Sequence, residues 1–205
     1  MENTFAAITS DLRSVLLDMG IEFSAIDSSA PIERSYRGVS YKKSIVVQRQ
    51  KMPVQLMIYA KDKKNFEVST KHHYRYTWHW GIQVAIENRR ELNLTLSKET
   101  LGQRIKKHLF KFDLEVYNPA FDKLFWIESS STYAHALLLQ EAEQNALVAL
   151  EDGFENLTIK GNSLNYTEEM EVRADFKKKA KRERLKAFWD LCLGLGLRLD
   201  QMVLP

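Results

Sequence analysis

Apolar residues recur at spacings of three and four through Phe5, Ile8, Leu12, Val15, Leu16 and Met19, the period of a helix that buries one face. A helix is therefore expected over 4–19, with Gly20 as its stop. Residues 21–35 read as a connection, broken at Ser28-Ser29-Ala30-Pro31. Alternation and short apolar runs then take over. They predict strands over 44–50 (Ile45-Val46-Val47), 54–59 (Leu56-Met57-Ile58), 66–70, 71–80, 82–86, 92–96 and 112–117. Pro53 stands just ahead of a strand, where it removes no ladder bond, and Lys61-Asp62-Lys63-Lys64-Asn65 reads as a charged turn. Ser97 is expected to cap a short helix ending near 108. The run 124–127 is apolar on both faces, which predicts a central strand.

Residues 131–150 should form a buried helix capped by Ser131, with Ala134, Leu137, Leu138, Ala142, Ala146 and Leu150 on one face. Leu157-Thr158-Ile159 and Leu164-Asn165-Tyr166 flank Gly161-Asn162, a hairpin signal over 154–166. A last helix is expected from Thr167 to about 193, within a C-terminal segment 167–196. Glu168, Glu169 and Glu171 would lie at its positive end, and Gly194 and Gly196 would loosen the chain beyond it. Strands cluster over 40–130 instead of alternating with helices. This predicts a single α+β domain spanning 1–205, a largely antiparallel sheet of about six to eight strands flanked by three to four helices.

Composition supports a packed core: of 205 residues, 44% are hydrophobic and 28% charged, with 8 glycines and 4 prolines. The single cysteine, Cys192, cannot close an internal disulfide, fits a reducing compartment and reads as a small buried hydrophobe between Leu191 and Leu193. The first residues lack a basic stretch followed by a long apolar one. No window approaches the roughly 20 apolar residues of a membrane span. The expected location is cytoplasmic, with no transmembrane segment.

The segment Asp113-Leu114-Glu115-Val116-Tyr117-Asn118-Pro119-Ala120-Phe121-Asp122-Lys123-Leu124-Phe125-Trp126-Ile127 carries an F-D-x-x-F core, followed by a serine-rich step and a helix with Leu137-Leu138-Leu139. From about 92 to 166 this layout resembles a loose group of uncharacterised bacterial proteins, many of them membrane-associated. In that group a strand, an F-D-x-x-F-x-V/I strand and a leucine-rich helix recur. This chain departs from them in having Asn118 where a Gly-Asp pair is commoner, and in lacking a spanning helix. The resemblance implies no activity; it implies that Phe121, Asp122 and Phe125 shape a hairpin and core. Side-chain chemistry agrees, since large rings bury area and an aspartate can accept turn amides.

Charge is segregated. Residues 31–112 carry 18 basic and 6 acidic side chains, whereas 113–175 carry 3 and 13. Two segments stand out. In 71–80 (Lys-His-His-Tyr-Arg-Tyr-Thr-Trp-His-Trp), a strand would point Trp78 and Trp80 one way and His73, Arg75 and His79 the other. The plain expectation is an aromatic face in the core and a solvated basic face; the alternative is an aromatic platform beside cations, which stacks bases. In 177–186 seven of ten residues are basic, among them Lys177, Lys178, Lys181, Arg182 and Arg184. They read either as a solvated helix face or as an anion-binding one.

No catalytic set, cofactor motif or metal-ligand spacing is visible. His73 and His79 lie about 20 Å apart along an extended strand, too far to share a metal. The expected function is a non-catalytic accessory or interaction domain with a protein partner. A nucleic-acid or anionic surface binder using 71–80 and 177–186 is the second reading. The third is an enzyme whose site assembles from distant residues, with His73, His79 or His135 as acid or base. No cofactor is expected.

Overall fold

The computed structural model describes residues 2–34, 41–49, 53–63, 75–89, 91–100, 102–103, 115–129, 140–170 and 179–201. Helix α1 (Glu2–Asp18) comes first. Strands β1 (Ala25–Asp27), β2 (Glu33–Arg34), β3 (Tyr41–Gln48), β4 (Val54–Lys63), β5 (Arg75–Ala85) and β6 (Leu94–Lys98) follow. The second half contains helix α2 (Pro119–Leu124), β7 (Phe125–Ser129), helix α3 (Glu141–Ala149), β8 (Phe154–Lys160), β9 (Ser163–Met170) and helix α4 (Lys179–Gln201). Among the described residues the strands form a nine-stranded sheet in the order β1-β3-β4-β5-β9-β8-β6-β7, with β2 also on β3. The pairings β1–β3, β2–β3, β3–β4, β6–β7 and β6–β8 are antiparallel. The chain is an α+β fold with a largely antiparallel sheet, as the clustering of strand patterns predicted.

Contacts group the residues into two compact units, Met1–Gly81 with Glu168–Glu183, and Ile82–Thr167 with Arg184–Pro205. In the first, the six apolar residues that predicted α1 are buried, five on the helix and Met19 just past it, and Gly20 follows at φ 69°, a conformation glycine takes without a Cβ clash. Phe5 meets Trp78 edge-on, with ring centroids 5.5 Å apart. β3 and β4 pair from Tyr41–Ala60 to Val47–Val54, burying Ile45, Val47, Val54, Leu56, Ile58 and Ala60. β4 runs on through Lys63, so residues 61–63 are strand where a charged turn was expected. Residues 66–70 lie outside the described part. β1 and β2 occupy the expected connection; at three and two residues they are too short to show a period, and they exist through their register with β3.

In the second unit β6 begins at Leu94, two residues later than the alternation suggested. The Asn88 side chain accepts from Leu92 N–H at 2.9 Å and donates to the carbonyls of Leu92 (2.9 Å) and Gly161 (2.8 Å), fixing the turn ahead of the strand. The short helix expected after Ser97 is absent at 98–100; 102–103 are helical, and 101 and 104–108 lie outside the described residues. Ser97 belongs to β6, and Thr100 supplies the cap: its hydroxyl accepts from Gln103 N–H at 3.2 Å while Gln103 Oε1 accepts from Thr100 N–H at 2.9 Å. The β8–β9 hairpin turns at Gly161, φ 53°, as its sequence predicted. It is longer than expected, and residues 167–170 extend β9 where a helix start was read.

Three further differences have packing reasons. β7 ends the sheet order instead of lying centrally; Phe125, Trp126 and Ile127 are nevertheless buried, with Phe125 set against Phe121 (4.7 Å) and Phe154 (5.2 Å). α3 is the described part of the helix expected over 131–150, since 131–139 lie outside the described residues. It buries Gln144, Leu147 and Leu150 and leaves Ala142 exposed. α4 continues through Gly194 and Gly196 to Gln201. Each glycine costs about 1 kcal/mol in a helix, but Leu191, Leu193, Leu195 and Leu199 are buried there, and tertiary packing outweighs propensity.

Candidate functional site

The 71–80 segment does not offer a surface where it is described. His73 lies outside the described residues, and Arg75 opens β5 with an undescribed side chain. Trp78 and Trp80 are 8% and 1% exposed, so these two indoles belong to the core. His79 is also buried, 4% exposed, although its face was expected to be solvated. β5 is an interior strand between β4 and β9, and the imidazole lies flat on Tyr59, centroids 5.0 Å apart and planes 5° apart. A platform for bases needs exposed rings, and these three are enclosed.

The core here also holds a carboxylate. Leu164, Tyr166 and Glu168 take successive inward positions on β9, and Glu168 is 1% exposed. Trp80 Nε1–H donates to its Oε1. The glutamate read as a helix-dipole partner is instead a buried acceptor.

The basic helix segment has structural work. Lys177 and Lys178 lie outside the described residues. Lys181 is half-buried on α4. Arg182 pairs with Asp18 at 2.9 Å. Arg184 donates to the carbonyls of Leu150 (2.8 Å) and Asp152, at the C-terminal end of α3, where carbonyls lack helical partners and cations are favoured. Lys179 and Lys186 pair along the helix with Glu183 (3.7 Å) and Asp190 (2.9 Å).

A different surface emerges two residues ahead of α2. Tyr117, expected at the end of a strand, has φ 61° and is 82% exposed. Left-handed backbone is costly for a residue with a bulky side chain. Three interactions hold it. Asp122 accepts from the amides on either side of Tyr117, Val116 N–H with Oδ1 and Asn118 N–H with Oδ2, both at 3.1 Å. Asn118 caps α2, its Oδ1 accepting from Ala120 (3.2 Å) and Phe121 (3.3 Å) N–H groups, with Pro119 preset for the first helical position. The Asn118 amide also donates to Gln144 Oε1 of α3 at 2.7 Å. Asp122 thus accepts turn amides as its chemistry suggested, while the segment forms a helix in place of a hairpin.

Beneath the loop lies a run of packed rings. Phe121 and Phe125 are buried, and their contact continues through Phe154–Tyr166 (5.5 Å) to Tyr166–Phe188 (5.0 Å, stacked). Five rings therefore run from α2 through β7, β8 and β9 to α4. On the solvent side Pro119 and Ala120 are exposed beside Tyr117.

No family model and no curated protein matches this chain.

Among the described residues no group of three or more His, Cys, Asp or Glu side chains could hold a metal, and no helix is long and apolar enough to cross a membrane. The described histidine, His79, is packed against an aromatic ring, while His135 lies outside the described residues. The Tyr117 loop was missed because Phe112, Leu114 and Val116 alternate with Asp113, Glu115 and Tyr117, a period that carried the expected strand through 117. The usable signal was Asn118-Pro119 with an aspartate at 122, a cap, a helical first position and a carboxylate able to turn back.

Proposed function

We propose that this chain is a non-catalytic protein-interaction domain of the cytoplasm that presents Tyr117 to a protein partner. The observation that carries this reading is a large aromatic side chain, 82% exposed, on a left-handed backbone fixed from both sides by Asp122. Strained backbone of this kind persists only where the surroundings over-determine it, and it concentrates at functional positions. A tyrosine already held in place loses little freedom on docking, and aromatic anchors dominate binding energy at protein interfaces. A single buried cysteine accords with a reducing compartment. The nucleic-acid reading has less support, because Trp78, Trp80 and His79 are enclosed and Arg182 and Arg184 are engaged within the protein.

The test compares wild type with Tyr117→Asn, since asparagine tolerates the left-handed region and removes the ring. Tagged protein is recovered from its own cells after nuclease treatment. A stoichiometric protein partner present with wild type and depleted with the variant, at equal circular dichroism, supports the proposal. An identical set of recovered proteins overturns it. Nucleic acid that copurifies without nuclease and is lost as salt rises would favour a basic-surface binder instead.

A further inference from the structure

We draw no further inference here: the strongest candidate, the exposed patch of Tyr117, Pro119 and Ala120 ahead of α2, belongs to the site already described, and nothing in the structure shows what covers it.

Discussion

The indole N–H of Trp80 on β5 donates to the carboxylate of Glu168 on β9, and both side chains are buried. A hydrogen bond in the interior is expensive to break, because removing one side leaves the other without that partner and costs more than the bond contributes. Trp80→Phe keeps most of the apolar bulk but deletes this donor; it should destabilise the protein by about 1–3 kcal/mol. Glu168→Leu in the Trp80→Phe background should recover part of that loss, because replacing both partners by apolar groups of similar size can be close to neutral. Urea unfolding of the four proteins measures the coupling, and strictly additive losses would contradict it.

Tyr117 gives an opposite expectation. Its ring buries little, so Tyr117→Gly removes left-handed strain of about 1–2 kcal/mol against a gain in unfolded-chain freedom of about 0.4–1 kcal/mol. The variant should melt at or above the wild-type temperature. Tyr117→Val places a β-branched side chain at φ 61° and should melt lower. If glycine melted well below wild type, the strain argument would fail.

Asp122 is the brace of the same loop. Asp122→Ala leaves the Val116 and Asn118 amides without this acceptor, a loss of about 1–3 kcal/mol if both stay shielded from water. Hydrogen exchange should accelerate at these two amides while the β8–β9 hairpin stays protected. Uniform acceleration across the second unit would indicate a general loss of stability instead.

Arg184 and Arg182 should separate in mutagenesis although they are neighbours in a basic run. Arg182→Ala breaks a partly exposed pair with Asp18, and such pairs contribute about 0–1 kcal/mol. Arg184→Ala removes Nη2, which donates to both the Leu150 and Asp152 carbonyls, and should cost more. Arg184→Lys should restore only part, because its ammonium ends one atom short of the Nη2 position and is more strongly hydrated than a guanidinium. Chemical denaturation at low and at 0.5 M salt (a test concentration, roughly past the range where surface pairs are screened) should weaken only the Arg182 effect.

Asp27 supplies a pH prediction. Its carboxyl is held below the ordinary carboxylate range by hydrogen bonding to the Ser29 side chain first and the Ser29 backbone N–H second, the latter at 2.8 Å. A folded value below the unfolded one adds stability that is complete above the unfolded value. That stability is lost as pH falls through the folded value. Ser29→Ala should move the Asp27 carboxyl back toward the ordinary value without abolishing the shift, since the backbone donor stays. An NMR titration of the Asp27 side-chain carbon reads this directly.

What was legible in the sequence was local. The helix from Phe5 to Met19, the β3 and β4 runs and the turn at Gly161 each follow from spacing within a few residues. Glu168 was misread because a carboxylate on the inner face of a strand breaks the apolar alternation, and its partner lies 88 residues away. His79 was misplaced for the same reason: the ring that covers it, Tyr59, belongs to another strand. For the candidate site, the residue types at 117–122 were in view. The cap reads locally, but the tie from Asn118 to Gln144 on α3 spans 26 residues and depends on the tertiary fold.

The placement of β9 beside β5 also orders the protein's synthesis. The bonds Trp80–Glu168 and Gln83–Ser163 join residues 88 and 80 apart in sequence. In a growing chain that has already made β3, β4 and β5, the β5 edge that β9 will cover stays open until the hairpin leaves the ribosome. Non-local pairings of this separation slow folding, and an uncovered edge pairs readily with other chains. The vulnerable species is the nascent or truncated chain that ends before β9.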